Sequence, residues 1–272
     1  MMAPLVTQTN SQTRPIDIGS GLTVGGSSVV MMAGPCSVES YEQTRQTAQA
    51  IAALGGRVLR GGAFKPRTAP DSFQGLGIEG LRILREVADE FNMLVITEAL
   101  GVDNLDAVVE YADIIQIGSR NMQHFPLLWE VGGTSIPVLL KRGYMSTVEE
   151  WLAAAEHIAS RGNEDIILCE RGIRGFDNAT RNVLDIGSIA LVKAETSYPV
   201  IADPSHATGR VDLVVAAARA GVAAGADGLL VEAHPTPAEA LSDSTQQLPL
   251  DHLPDLWIQV GRTAAAIDRE LV

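Results

Sequence analysis

Eight short apolar runs, rich in Val, Ile and Leu, recur along the 272-residue chain and are separated by segments with helical spacing of apolar residues. Continuous rather than alternating apolar sequence is typical of parallel strands that are buried on both faces. Strand and helix alternating eight times predict an α/β fold of the (β/α)8 barrel type. The runs lie at residues 29–34, 57–62, 93–99, 113–118, 137–143, 165–172, 199–206 and 228–234.

The spacing of these runs indicates one domain. Successive predicted strand ends lie about 28 residues apart, which suits a barrel and leaves little room for a second domain. We expect a short N-terminal extension at residues 1–28, with a hairpin at the barrel bottom, and a catalytic barrel at 29–272. An open doubly wound sheet is the alternative, but it usually carries a Gly-rich phosphate loop after its first strand, where this chain has Pro35 and Cys36.

The composition excludes several classes of protein. A formal charge of −13 argues against nucleic acid or an anionic membrane as the main partner. Two cysteines, Cys36 and Cys169, cannot form the disulfide framework of a secreted domain this large. The N-terminus lacks the pattern of a signal peptide, and no apolar run is long enough to span a membrane. We therefore expect a soluble protein of the reducing cytoplasm.

Basic side chains stand at or just after several predicted strand ends, where barrel enzymes place their chemistry. A single one would be an ordinary surface charge, but these come from five different βα units and converge only if the barrel closes. Arg offers a planar fork that matches carboxylate and phosphate. The set predicts a site for a substrate with several negative charges. It consists of Arg60, Lys65, Arg67, Arg120, Lys141 and Arg171.

Four potential metal ligands form a second predicted cluster. Cys36 stands at the end of the first predicted strand, His206 at the end of the seventh and Glu232 at the end of the eighth. Asp243 lies in the loop beyond. The first, seventh and eighth strands are neighbours in a closed barrel. Thiolate, imidazole and carboxylates together suit one divalent transition metal ion, without a sharp choice among Mn, Fe, Co and Zn. Cys169, inside a predicted strand, is expected to be inert packing.

Seven short motifs occur in an order that resembles the 3-deoxy-D-arabino-heptulosonate 7-phosphate (DAHP) synthases, in their short single-domain, type I-beta form. The resemblance covers roughly residues 25–260, and the motifs fall on predicted strand ends or on the loops after them. They are AGPCS (33–37), KPRT (65–68), IGSRN (117–121), LKRG (140–143), ERG (170–172), DPSH (203–206) and VEAHP (231–235).

The resemblance implies a metal-dependent condensation of phosphoenolpyruvate with erythrose 4-phosphate and water, which releases phosphate in the first step of the shikimate pathway. It places the metal on Cys36, His206, Glu232 and Asp243. It assigns phosphoenolpyruvate to Arg60, Ser119, Arg120, Lys141 and Arg171. It assigns erythrose 4-phosphate to Lys65, Pro66, Arg67 and Thr68, with Asp203 close by. The expected catalytic residues are Lys141, His206 and Cys36, with Lys141 or a metal-bound water as proton donor.

Three alternatives remain at this point. A 3-deoxy-D-manno-octulosonate 8-phosphate synthase would take arabinose 5-phosphate, but its loop after strand two reads Lys-Ala-Asn-Arg-Ser, where this chain has residues 65–68 as Lys-Pro-Arg-Thr. A metal-free aldolase would use Lys141 as a Schiff base. A non-catalytic barrel would only bind metabolites. The resemblance also implies a homodimer or homotetramer, no built-in allosteric domain and, as a separate partner, a chorismate mutase.

Overall fold

The structure is a computed structural model that describes residues 12–66 and 71–272. Within these residues the strands are β1 (Ile16–Gly19), β2 (Leu22–Val24), β3 (Ser28–Gly34), β4 (Val58–Arg60), β5 (Leu94–Ala99), β6 (Ile114–Ile117), β7 (Val138–Lys141), β8 (Ile166–Glu170), β9 (Val200–Ala202), β10 (Gly228–His234), β11 (Leu248–Pro249) and β12 (Glu270–Leu271). The α-helices are α1 (Tyr41–Ala52), α2 (Ile78–Glu90), α3 (Leu105–Tyr111), α4 (Phe125–Val131), α5 (Val148–Ala159), α6 (Ile186–Glu195), α7 (Pro204–Thr208), α8 (Val211–Ala223) and α9 (Leu253–Ala265).

Strands β3 to β10 form a closed parallel barrel. Each pairs with the next along the chain, and β10 also pairs in parallel with β3, which places Gly228 opposite Val30 and Glu232 opposite Gly34. The predicted single-domain (β/α)8 barrel is therefore confirmed. The alternative of an open doubly wound sheet is wrong, because an open sheet leaves its two edge strands unpaired.

The apolar runs are continuous because each strand is buried on two sides. Along β3, Val30 and Met32 point into the barrel, whereas Val29 and Met31 belong to the layer between the barrel and its helices. Successive side chains of a strand point to opposite faces, so two apolar layers require an unbroken apolar sequence.

A small antiparallel hairpin of β1 and β2 packs on the inner layer. Ile16 lies opposite Val24, and both are buried together with Leu22 in the cluster inside the barrel. This cluster includes Leu94, the first residue of β5, so the hairpin covers the amino-terminal end of the strands. The site end of the barrel is thus the opposite one.

Side-chain caps begin several of the helices, among them α1 and α5. The Ser40 side chain accepts a hydrogen bond from Gln43 N at 3.1 Å before α1. Before α5, Thr147 and Glu150 form a reciprocal capping box. These caps satisfy amide groups that have no partner within their helix.

One predicted strand is shorter than expected. The run 199–206 is strand only as far as Ala202, because Pro204 begins helix α7 and the Asp203 side chain caps it by accepting from His206 N at 2.9 Å. His206 therefore lies on a helix and not at the end of a strand, which corrects the sequence-based placement. Among the residues that the structure describes, no helix is long and apolar enough to cross a membrane.

The close packing of Gly34, at the end of β3, against the backbone of Arg60, at the end of β4, allows a test of the fold. A Cβ at Gly34 would lie 2.0 Å from the backbone oxygen of Arg60, so we expect Gly34→Ala to destabilise the protein by on the order of 3 kcal/mol. In the control Gly261→Ala, on α9, the added Cβ meets only Leu271 Cδ2 at 3.9 Å. Helix propensity should then stabilise the control by about 0.5–1 kcal/mol. Urea unfolding measures both, and equal effects would contradict this packing.

Candidate active site

A cavity of about 300 Å³ opens at the carboxyl ends of the barrel strands. Its volume is at the lower end of the range for pockets that bind small molecules. The described residues that line it are Lys65, Pro66, Ser72, Glu98, Gly118, Ser119, Arg120, Lys141, Tyr144, Arg171, Arg181, His206 and Asp243.

Most of the predicted basic residues reach this cavity. Lys65, Arg120, Lys141 and Arg171 line it, whereas Arg67 and its neighbour Thr68 lie outside the described residues. Cations from separate βα units are thus brought to one place by closure of the barrel. The prediction of a basic site at the strand ends agrees with this arrangement.

Arg60 is an exception, because it does not line the cavity. Its guanidinium is buried, and Nη1 donates to Glu232 Oε1 and to Pro35 O, at 2.8 Å in each case. A buried guanidinium needs such partners to offset its desolvation. Arg60 thus contacts a carboxylate of the neighbouring cluster, and its place in the ring of cations stays a prediction.

Arg171 lies in the cavity wall beside an aromatic ring. Its guanidinium carbon lies 4.6 Å from the centre of the Tyr144 ring, a cation–π contact. Burial lowers the pKa of Arg171, although Asp203 opposes this effect, and a guanidinium stays charged at neutral pH. Within residues 12–66 and 71–272, Arg171 forms no salt bridge, so its charge is available to a ligand.

Lys141, Asp203 and His206 form a connected group under the cavity. Lys141 Nζ donates to Asp203 Oδ2 at 2.7 Å, and His206 Nδ1 lies 2.7 Å from the same oxygen. Burial opposes ionisation of Asp203, but His206 and Lys141 outweigh it and hold the pKa of this carboxyl well below its usual range. Asp203 is fully buried, so its carboxylate contacts these two side chains and not the cavity.

The His206 imidazole is neutral at neutral pH. Burial lowers its pKa from 6.5, even though Asp203 and Glu232 act in the opposite direction. The nearby Asp203 carboxylate favours the tautomer with its proton on Nδ1. Nε2 then presents a lone pair towards Glu232 and Asp243.

The end of β6 offers a buried hydroxyl without a partner. Ser119 Oγ has no hydrogen-bond partner in the described residues. Before it, a Cβ at Gly118 would lie 2.0 Å from Glu98 Oε1, so glycine lets this turn pass close to the Glu98 carboxylate. Buried hydroxyl groups are normally hydrogen-bonded, so the one on Ser119 is suited to a ligand in the cavity.

All four predicted metal ligands come together at one side of the cavity. Ligand atoms of Cys36, Glu232 and Asp243 lie within 4.8 Å of one another, with Cys36 Sγ 3.5 Å from Asp243 Oδ2. His206 Nε2 lies 3.4 Å from Glu232 Oε1 and 3.9 Å from Asp243 Oδ2. Lys65 Nζ lies 3.1 Å from Cys36 Sγ, which connects this cluster to the basic cavity.

Burial and charge set the protonation of the cluster in opposite directions. Burial raises the pKa of Cys36 to about 11, and Glu232 adds to the effect while Lys65 opposes it. Burial would also raise the pKa of Glu232, but His206, Arg60 and Lys65 outweigh it and lower this pKa to about 2. At neutral pH the ligand-free cluster therefore holds ionised carboxylates and a protonated thiol.

Three further side chains that no sequence motif indicates contact the cluster or connect its neighbours. Arg181 Nη1 lies 3.4 Å from Asp243 Oδ1 and donates to Gln246 Oε1 at 2.7 Å. Gln247 Oε1 accepts from Cys36 N at 2.9 Å. No periodicity or motif marks these residues. Their partners lie far away along the chain, so only the fold shows the contacts.

Comparison with known proteins identifies relatives of this chain. A model of the DAHP synthetase I family matches residues 8–268. The phospho-2-dehydro-3-deoxyheptonate aldolase of Thermotoga maritima is 52% identical over 252 residues, which are 93% of this chain and 74% of that protein. A 2-dehydro-3-deoxyphosphooctonate aldolase of Acidithiobacillus ferrooxidans is 33% identical over 245 residues, with 83% of this chain and 86% of that protein covered.

Two solved structures of the Thermotoga maritima enzyme are also similar to this chain. The crystal structure of the Thermotoga maritima phospho-2-dehydro-3-deoxyheptonate aldolase superposes with a TM-score of 0.95 at 50% identity, covering 98% of this chain and 78% of that chain. A truncated form of the 3-deoxy-D-arabino-heptulosonate 7-phosphate synthase from the same organism gives a TM-score of 0.92 at 46% identity, covering 98% of both chains.

The depressed pKa of Glu232 predicts an acid dependence of stability. A carboxyl whose pKa falls from 4.5 to about 2 on folding stabilises the protein above pH 4.5, and this stabilisation is lost as the pH falls towards 2. The loss amounts to roughly 3 kcal/mol. Glu232→Gln should flatten the pH dependence of the unfolding free energy in this interval, measured by urea unfolding of metal-free protein.

The exposed carboxylate of Glu149, on α5, provides the control for this measurement. Glu149→Gln should keep the wild-type dependence on pH. An unchanged slope in Glu232→Gln would show that the buried pair with Arg60 does not set the acid stability.

Proposed function

We propose that this chain, which belongs to the DAHP synthetase I family and is a transferase of the DAHP synthase type, catalyses one specific reaction. In that reaction phosphoenolpyruvate condenses with erythrose 4-phosphate and water. The products are DAHP and inorganic phosphate, in the first step of the shikimate pathway. The observation that carries the proposal is the juxtaposition of a basic cavity with the Cys36–His206–Glu232–Asp243 cluster.

The cavity suits phosphoenolpyruvate because it is lined by cations, and two of them, Arg120 and Arg171, form no salt bridge within the described residues. We assign the phosphate and carboxylate of this substrate to Arg120, Lys141 and Arg171, with the unpartnered Ser119 hydroxyl as a further donor. Guanidinium groups bind both kinds of oxyanion with two parallel hydrogen bonds. Arg60 contributes from below, by holding Glu232.

We assign erythrose 4-phosphate to the cavity wall formed by Lys65 and Pro66 and to the adjoining residues 67–70, which lie outside the described range. Lys65 Nζ is 3.0 Å from Cys36 O and 3.1 Å from Cys36 Sγ, so this wall meets the metal cluster. An aldehyde bound here would lie between the cluster and the phosphoenolpyruvate site. Asp203 acts through Lys141 and His206, which it orients.

Members of this family are generally metal-dependent, and the four side chains of the cluster fit a divalent transition metal. They combine a soft sulfur ligand, an imidazole nitrogen with a free lone pair and two ionised carboxylates, with three of the four ligand atoms within 4.8 Å. Such an ion, when bound, would act as a Lewis acid towards the aldehyde oxygen.

The protein's own groups account for orientation and proton transfer. Carbon 3 of phosphoenolpyruvate attacks the aldehyde carbon, and the aldehyde oxygen takes a proton, for which Lys141 Nζ is the donor that we propose. Asp203, 2.7 Å away, keeps this ammonium group in place. Water then adds to the cationic carbon 2 and gives one proton back to the Lys141 amine. The bond from carbon 2 to the phosphate oxygen then breaks, and inorganic phosphate takes the proton of the new hydroxyl group, which leaves a ketone at carbon 2. Fixed positions for both substrates and preorganised charge lower the barrier.

The contact of Lys141 with Asp203 also bears on the Schiff-base alternative. That reaction needs the Lys141 nitrogen to be free to attack a carbonyl carbon, whereas Nζ is held by the buried Asp203 carboxylate at 2.7 Å. The homo-oligomer, the chorismate mutase partner, the cytoplasmic location and the division at residue 28 stay predictions.

The reaction predicts a specific requirement for phosphate release. Purified protein should release phosphate only when phosphoenolpyruvate, erythrose 4-phosphate and a divalent metal are all present, and EDTA should stop the release. Arabinose 5-phosphate should be the poorer aldehyde substrate, because the chain is less similar to the phosphooctonate aldolase (33% identity) than to the phosphoheptonate aldolase (52% identity). Release that does not need erythrose 4-phosphate, or that prefers arabinose 5-phosphate, would contradict the proposal.

The protonation of the cluster predicts how metal binding responds to pH. Below its pKa of about 11 the Cys36 thiol must lose a proton to bind the metal. Above pH 7 the carboxylates of Glu232 and Asp243 are ionised, and Nε2 of the neutral His206 carries no proton. Affinity should therefore rise about tenfold per pH unit between pH 7 and 9, with release of about one proton. Titration calorimetry in buffers of different ionisation enthalpy measures both.

Cys36→Ala provides the matched variant. It should bind the metal more weakly and without proton release, and it should lose metal-dependent turnover. Wild-type affinity or full activity in this variant would refute Cys36 as a ligand.

A further inference from the structure

One arginine–glutamine pair holds the outer oxygens of both carboxylates in the cluster. Gln246 Nε2 donates to Glu232 Oε2 at 2.6 Å, and Arg181 Nη1 lies 3.4 Å from Asp243 Oδ1. The two side chains are themselves connected, because Arg181 Nη1 donates to Gln246 Oε1 at 2.7 Å. A single chain of contacts therefore links the two carboxylates from outside the cluster.

The other oxygen of each carboxylate faces the centre of the cluster. Glu232 Oε1 lies 3.4 Å from His206 Nε2, and Asp243 Oδ2 lies 3.5 Å from Cys36 Sγ. Glu232 Oε1 also accepts a hydrogen bond from Arg60 Nη1 at 2.8 Å, which leaves its second lone pair for a metal. A carboxylate can bind a metal through either oxygen or through both. A hydrogen bond to one oxygen restricts that choice and orients the group.

We propose that Arg181 and Gln246 are positioning residues that set the geometry and the affinity of the metal site. This inference rests on the metal-binding part of the proposed function. By holding Oε2 of Glu232 and Oδ1 of Asp243, the pair turns Oε1 and Oδ2 towards the centre of the cluster.

Both side chains are held firmly by the backbone around them. Arg181 N donates to Thr208 O at 3.0 Å, and Asn182 Nδ2 donates to His206 O at 3.0 Å, so the segment that carries Arg181 is attached to helix α7, which carries the imidazole ligand. Gly209, with a φ of +66°, makes this approach possible, since a Cβ there would lie 2.5 Å from Arg181 Cβ.

Gln246 belongs to the loop that carries Asp243. It is 1% exposed, and Gln246 N donates to Asp243 O at 3.3 Å. Asp243 itself has a φ of +45°, an unusual backbone conformation for a residue other than glycine. The next residue, Gln247, accepts a hydrogen bond from Cys36 N. This loop thus contacts the cysteine ligand as well as Glu232.

A different role for Arg181 is direct binding of a substrate anion, since it also lines the cavity. The two roles give different results when metal binding is measured without substrate. Loss of an anion contact would raise KM for a phosphorylated substrate and leave metal affinity unchanged. Loss of a positioning contact would weaken metal binding itself.

The experiment measures the Kd for Co²⁺ by competition with a chromophoric chelator, and the visible spectrum of the bound cobalt, in protein without substrates. Arg181→Met and Gln246→Met should each weaken binding about 10- to 100-fold and change the cobalt spectrum. Arg181→Lys should recover part of the loss. The double variant should lose less than the product of the two single losses, because both residues act in one chain.

Arg174→Met is the control, because Arg174 is an exposed arginine of the same loop whose guanidinium lies over Tyr144, 5.8 Å from the ring centre. It should bind Co²⁺ like the wild type. Wild-type Kd and spectrum in Arg181→Met would overturn the inference while leaving the proposed function intact. Absence of Co²⁺ binding by the wild type would instead overturn the metal site itself. Circular dichroism checks the fold, and the exposed Arg181 decides the outcome if the Gln246 variant does not fold.

Discussion

The parallel pairing of β10 with β3 is the constraint on which the site depends. It places Glu232 opposite Gly34, and Cys36 follows Gly34 by two residues. The other neighbour of β10 is β9, which leads into the helix that carries His206. The four proposed metal ligands lie in separate segments of the chain. Closure of the barrel brings three of them together from three consecutive positions around it, and the loop after β10 adds Asp243.

The same closure reconciles an acidic protein with anionic substrates. The chain carries a net charge of −13, yet among the described residues five basic side chains line the cavity beside two carboxylates. The basic groups come from four βα units, whereas the buried carboxylates Glu232 and Asp203 each contact a buried cation. The overall charge therefore describes the outer surface, where it disfavours polyanions, and the cavity has the opposite local sign.

Most of the fold and the main chemistry could be predicted from sequence, because both depend on local patterns. Unbroken apolar runs identify strands that are buried on two faces, and residues at their ends meet once the barrel closes. Two features could not be predicted this way. The start of helix α7 at Pro204, inside a predicted strand, depends on the Asp203 cap, and the inward pairing of Arg60 with Glu232 depends on a contact between distant segments. Arg181 and Gln246 were missed for the same reason, since their roles arise from contacts across loops.

The most direct test of the account is the anomalous diffraction of manganese in crystals of this protein grown with Mn²⁺ and phosphoenolpyruvate. If the proposed metal site is correct, one anomalous peak lies within bonding distance of its four ligand atoms, Cys36 Sγ, His206 Nε2, Glu232 Oε1 and Asp243 Oδ2. Electron density for phosphoenolpyruvate is expected in the adjoining cavity, in contact with Arg120, Lys141 and Arg171. A manganese peak held by other residues, or phosphoenolpyruvate bound away from these cations, would contradict it.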